Sequence, residues 1–193
     1  MTLPTTAAEG SLSLAEENLA RTWADCARWK SIVATKDEID PEAITTEQAL
    51  ARIYIDALPS PRDEDDNLLE VFSVEQLAAL RPFILIGQPP RASYRAERVA
   101  TDTYADAGSF VSLFEFSVDA EDREDLSEAF RKIKNDLGVM LDQAKELSYL
   151  PGYLAIDRFQ VDGPFRCEDD DVNQLGDHVF ALVTTFWNGG LPA

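Results

Sequence analysis

Two hydrophobic periods meet in the second half of this chain, and their order leaves few folds open. From residue 126 to 147 the apolar positions Leu126, Phe130, Ile133, Leu137, Met140, Ala144 and Leu147 recur in steps of three and four, with Leu141 beside them. That spacing lines one face of an α-helix. Asp119 is placed to cap it, and Glu121, Asp122, Glu124 and Asp125 fall in its first turns, where the helix macrodipole favours anions. Gly138 inside the pattern costs about 1 kcal/mol against Ala. Each large buried side chain of the stripe contributes roughly 1.5–3 kcal/mol, so the helix should hold until Pro151-Gly152 stops it. On either side the period changes to two. Phe110, Phe114, Phe116 and Val118 share one face of a strand, residues 153–165 read as a second, and His178 to Trp187 as a third. A helix with one apolar stripe must bury it against another layer. The expected class is therefore α+β: a mixed, mainly antiparallel sheet with a long helix at about 121–147 on one face and N-terminal helices near the other. The closing strand is apolar on both sides, with Val179, Ala181 and Val183 on one and Phe180, Leu182 and Phe186 on the other. Either the N-terminal helices or another subunit should cover its second face.

Upstream the chain reads as helix. Residues 1–12 are small and polar and are expected to be a disordered arm. Ser13 with Glu16 fits a capping box, opening a helix to about Val33 that carries Trp23 as a core residue and Trp29 as core or contact. A second helix is expected from Thr46 to Ala57, with Leu50, Ile53, Tyr54 and Ala57 on one face, ended by Pro59 and Pro61. Ser73 with Gln76 is another capping box, starting a short helix through Leu77 and Leu80. Pro82-Phe83-Ile84-Leu85-Ile86-Gly87 is a continuous apolar run led by Pro, the pattern of a strand buried on both faces. Tyr94 to Thr101 reads as a more polar strand, and Asp106-Ala107-Gly108-Ser109 as a turn. The expected organisation is an arm (1–12), an N-terminal helical segment (13–80), an α+β core (82–187) and a tail (188–193), with Asn188-Gly189-Gly190 ending the ordered part.

The formal net charge is −19. Such a chain repels nucleic acid unless it carries a local basic patch, and the densest cluster, Arg131-Lys132 with Lys134, lies in a helix that begins acidic. The charge also opposes anionic membranes and favours basic partners. No apolar stretch is long enough for a transmembrane helix. Met1 to Thr6 lacks a cationic region followed by an apolar core, so no signal peptide is expected. Cys26 and Cys167 are expected to be reduced, buried thiols.

Candidate chemistry fails on geometry. His178 lacks the strained, glycine-flanked nucleophile turn of a triad, and the expectation is a strand-edge histidine. Asp169, Asp171, Asn173 and Gly176 have the look of a calcium loop. Counting from Asp169, however, Gln174 stands where the loop needs Gly and Phe180 where it needs Glu. A looser divalent site stays open beside the plainer reading of a solvated acidic turn. Asp63, Glu64, Asp65 and Asp66 receive the same reading. There is no G-x-G-x-x-G, Walker motif or C-x-x-C. Neither a cofactor, a metal site nor a catalytic residue is expected.

The order of elements resembles the lambda-type tail terminator (minor tail, tail completion) proteins of long-tailed bacteriophages. The resembling run is about 82–187. It rests on Pro82-Phe83-Ile84-Leu85-Ile86, Phe114-Glu115-Phe116, the acidic helix start, the acidic turn Glu168-Asp169-Asp170-Asp171 and the strand Leu182-Val183-Thr184-Thr185-Phe186. The N-terminal region is longer and more helical than the family pattern. The resemblance implies a non-enzymatic structural protein of a phage or prophage, present in the host cytoplasm during assembly and then in the virion tail. It would form a homo-oligomeric ring, usually hexameric, that stops tail-tube growth and faces the tail tube protein and head–tail connector. Glu168, Asp169, Asp170, Asp171, Asp63, Glu64, Asp65, Asp66 and Trp187 are the candidate contact residues. Two other classes compete. An acidic binding or inhibitor protein, such as a DNA mimic, would spread carboxylates at phosphate-like spacing. An enzyme of another type would gather polar groups around His178 or the 169–171 carboxylates.

Overall fold

The protein is α+β. The computed structural model describes residues 11–88, 95–100, 103–117, 123–150, 153–167 and 178–192. In chain order the elements are α1 (Ser11–Asp25), α2 (Ala27–Lys36), α3 (Thr46–Leu50), β1 (Ile53–Ile55), α4 (Val74–Leu80), β2 (Phe83–Gly87), β3 (Arg95–Ala100), β4 (Thr103–Ser117), α5 (Arg123–Leu147), β5 (Ile156–Cys167) and β6 (His178–Pro192). One sheet runs β1-β2-β4-β6-β5, with β3 also paired to β4. β1 and β2 are parallel, and the other pairings are antiparallel.

The pairing sorts the side chains by face. Phe110, Ser112, Phe114 and Phe116 of β4 lie opposite Thr185, Val183, Ala181 and Val179 of β6. Ile84 and Ile86 of β2 join them through Phe114 and Ser112. All of these are buried. The helices seal this face. Trp23 of α1 meets Phe114 edge-on at 5.1 Å and lies 5.7 Å from Phe159. α5 buries Ile133, Leu137, Met140 and Ala144 in the same core and packs on α1, α2 and β5. The N-terminal helices thus share the long helix's side of the sheet. The expectation that they lie near the opposite face is corrected: Trp23 and the α5 stripe meet one continuous set of sheet residues, which holds both in one layer.

Other boundaries also differ. The single helix expected over 13–33 breaks at Cys26, whose backbone is extended (φ −61°, ψ 119°). No Gly or Pro marks the break. The Cys26 thiol contacts the Met140 carbonyl at 3.6 Å, and after the bend the Trp29 indole N–H donates to the Ala49 carbonyl at 3.0 Å. Trp29 is fully buried and so is core. Glu16 is buried in mid-helix and is not the reciprocal residue of a cap, because α1 already starts at Ser11. The helix expected over 46–57 is only one turn and is followed by β1. Thr45 and Gln48 form its capping box, the same device as Ser73 and Gln76 at α4. Ile53-Tyr54-Ile55 suits strand or helix alone, and the edge of β2 selects strand. Through β1 the segment 13–80 also contributes a strand to the common sheet.

The turn expected at 106–109 is the middle of β4. Gly108 lies opposite Trp187, and a Cβ there would sit 3.1 Å from the indole. The glycine is a slot for the ring. The tail expected from 188 is also strand, since Asn188 to Pro192 pair with Ala107 to Thr103. The strands expected near 82–87, 94–101, 110–118, 153–165 and 178–187 are present. The arm expected over 1–12 is cut short, since Ser11 and Leu12 already belong to α1; residues 1–10, Val118, Asp119, Pro151 and Gly152 lie outside the described residues.

Gly138 is exposed on α5, and a Cβ there meets nothing within 4 Å. Gly138→Ala should stabilise the protein by about 0.5–1 kcal/mol, by removing backbone freedom from the unfolded chain. A chemical-denaturation midpoint that fails to rise would contradict an unstrained helix there.

Candidate assembly surface

Among the described residues, the second face of the sheet is less completely covered. Register places Tyr54, Leu85, Val111, Leu113, Glu115, Phe180, Leu182, Thr184 and Phe186 on it. Each is half-buried, where its neighbours on the helical face are buried. Phe83, His178 and Ser109 on this face are buried, at 1%, 4% and 8% exposure. Phe165 extends the surface onto β5, where it is 46% exposed and its ring lies 5.2 Å from Phe180. The Arg158 guanidinium lies over the Phe186 ring at 4.4 Å, a geometry that attracts a cation to the ring face. The result is a broad aliphatic and aromatic surface with little charge in its middle.

The outer edge at β5 is blunted. Its pairing with β6 shifts register between Ile156 and Arg158 and again between Asp162 and Phe165. Gly163 has φ +111°, Pro164 has no N–H to offer, and Asp157, Arg158 and Asp162 are exposed along the strand. Bulges, proline and charge on an edge all oppose strand-to-strand addition. At β5 the available contact is the face and not the edge.

The expected contact residues fall in different places. Trp187 is 4% exposed and stacks on Phe110 at 6.0 Å with 7° between the planes, so it is core and not contact surface. The register that brings Gly108 beneath it is set by the whole β4–β6 pairing. Asp63, Glu64, Asp65 and Asp66 are exposed on a built loop. The Asp63 carboxylate accepts from the backbone N–H groups of Asp65 and Asn67 at 3.0 and 2.8 Å, and from the Asn67 amide. Those bonds, the Asn67 side chain first, hold Asp63 below the usual carboxylate range. Arg62 pairs with Asp66 at 3.2 Å. Glu168, Asp169, Asp170 and Asp171 lie outside the described residues, as does the loose divalent site read there. His178 is buried at 4%, opposite Ser117 and Cys167, with its ring 6.1 Å from Phe180. No group of three or more metal-ligating side chains occurs among the described residues.

Two carboxylates inside the helical layer set its pH response. Asp25 ties α1, α2, α3 and the segment before β5 together. It accepts from Lys30 at 2.8 Å, Thr46 at 2.5 Å and Tyr153 at 3.0 Å. Burial raises its pKa, but the bonds from Lys30, Thr46 and Tyr153 and the Lys30 charge outweigh burial and leave it below 3.8. Its contribution is complete above that value and is lost as pH falls through the folded pKa. Glu16 behaves oppositely. Burial and the charge of Asp56 raise it above 4.5 despite a hydrogen bond from Gln88, and its Oε1 has no partner. Its charged form is a liability at neutral pH that disappears as pH falls through the raised pKa toward 4.5. Glu16→Gln should therefore raise the melting temperature at pH 7 by a few degrees, given about 2–4 °C per kcal/mol for a chain of this size. The gain should shrink toward pH 4.5, and a gain that does not change with pH would contradict a charged, strained Glu16. Cys26 is buried nearby, and burial with the Asp25 charge pushes its thiol up to about 12 against the opposing Lys30, so it is unreactive at neutral pH.

Lys132 of the basic cluster meets basic residues from distant parts of the sequence at a cleft between α2 and α5. Arg28 donates to Asp136 through Nε and Nη2, pinning the two helices. Lys36, Arg81 and Lys132 line the same cleft. Their positions in sequence span about half the chain, so no local signal announces them. No protein-family model matches the chain, and no curated protein matches it.

Proposed function

We propose that this chain is a structural protein of a tailed bacteriophage or prophage that closes the tail tube as a homo-oligomeric ring, in the manner of a tail terminator, at the head–tail junction. The observation that carries the reading is the one-sided sheet. Residues 85, 111, 113, 180, 182 and 186 present an apolar face that the helices leave half-buried. Contiguous apolar surface of this kind marks a protein contact. The blunted β5 edge favours a closed assembly through faces over open-ended strand addition. The order of strands and long helix on which the resemblance rests is retained, and an acidic ring lumen would repel passing DNA.

The test is assembly itself. Purified chain, alone and with growing tail tubes, should give ring-shaped particles in negative stain and tubes of fixed length. Leu182→Glu, on the open face, should abolish the ring and shift the monomer's melting temperature little, because position 182 is already partly solvated. A wild-type chain that stays monomeric with tubes present, and leaves their length uncontrolled, would sink the proposal.

A further inference from the structure

The cleft between α2 and α5 is lined by four basic side chains, Arg28, Lys36, Arg81 and Lys132, and by two acidic ones, Glu38 and Asp136. Its volume is about 580 Å³, within the range of recognition pockets. Ile32, Pro82, Phe116 and Ile133 form an apolar floor, three of them buried. Arg28 and Arg81 are fixed at the walls by Asp136 at 2.5 Å and Glu115 at 2.9 Å. Lys36 and Lys132 are exposed at the rim. Such a cleft fits a carboxylate-bearing segment with apolar flanks.

The chain itself displays that segment. The loop carrying Glu64 and Asp65 projects between α4 and β1, and its shape is held by the Asp63 bonds, the Arg62–Asp66 pair and a Leu69 N–H to Pro61 carbonyl bond at 2.9 Å. Leu68 and Val71 beside it are 66% and 75% exposed. An acidic tip with exposed apolar shoulders complements a lysine rim over an apolar floor. A loop already ordered loses little entropy on docking. At physiological salt, charges beyond about 8 Å are largely screened, so the local match outweighs the overall like charge of two copies.

We propose that the Glu64–Asp65 loop of one copy docks into the α2–α5 cleft of the next. This contact rests on the ring reading and supplies its specificity: a cleft-to-loop interface is heterologous, the type that closes rings. Charge reversal tests it. Lys36→Glu with Lys132→Glu, and separately Glu64→Lys with Asp65→Lys, should each weaken self-association about tenfold or more. Both pairs are exposed, so thermal melts should match wild type. Mixing the two variants one to one should restore assembly, because each loop then meets a cleft of opposite charge. Sedimentation of each variant and of the mixture, with and without tail tubes, reads the outcome. Rings that form unimpaired in both variants would overturn this contact and leave the open-face ring standing. So would a mixture that fails to recover. Loss of tube binding with self-association intact would make the tube protein the occupant and also overturn it. A monomeric wild type would remove both readings together.

Discussion

Trp23→Ala should destabilise the fold by roughly 3–5 kcal/mol, the range for truncating a buried aromatic side chain. Trp23 has no exposed surface. It is held edge-on by Phe114 and flanked by Phe159, and its indole N–H donates to the Ser112 hydroxyl at 3.1 Å. It is the point at which α1 is fastened to the middle of the sheet. Trp23→Phe separates the contributions. It keeps an aromatic ring but strands the Ser112 hydroxyl, a buried group whose lost partner costs about 1–3 kcal/mol. Adding Ser112→Ala should recover part of that loss. Urea unfolding of the three variants measures it. If Trp23→Ala lowers stability by less than about 1 kcal/mol, comparable to a surface change, α1 is not anchored as described.

Arg81→Met alone should cost about 3 kcal/mol, whereas Arg81→Met with Glu115→Leu should recover most of it. The pair is nearly withdrawn from water, with side-chain exposures of 2% and 16%. Removing one partner of such a pair leaves a desolvated charge, and replacing both with apolar groups is often neutral. The magnitude is at the low end because Glu115 retains some solvent. A single substitution as benign as the double would show that Glu115 finds water or another cation. Because Arg81 also lines the α2–α5 cleft, these variants test the fold and not the docking contact, which is assigned to the exposed lysines.

The legible parts of the fold were those with strong local periodicity. The α5 stripe, the Phe110-to-Phe116 alternation and the Pro82-led run each carry enough repeated pattern to specify element and face. The Ser73–Gln76 capping box was readable because its two hydrogen bonds join residues three apart. Ile53-Tyr54-Ile55 was not, because three residues fit either period and the choice depends on a partner thirty residues away. The Asp106-to-Ser109 segment carries turn residues, yet it is strand because Trp187 needs a position without a side chain. For the candidate surface, the two-sided apolarity of β6 was visible in its sequence, and the acidic loop was visible as a run of carboxylates. Placing Trp187 at a contact failed for the same reason that Gly108 was misread: both depend on a pairing between distant strands.

The sequence by itself determined the class of this protein, its long amphipathic helix, its closing strand with two apolar sides and its acidic character. Those are properties of short-range spacing and composition, which act before any contact forms. Only the tertiary structure decided which side of the sheet the helices occupy, and therefore which side is left less covered. Trp23 and the α5 stripe fit the same face equally well in pattern terms as they would opposite faces. Trp23, the α5 stripe and Phe114 belong to one core, with Phe159 packed against it. The cleft between α2 and α5 has the same origin, since Lys36, Arg81 and Lys132 meet only when the chain has folded.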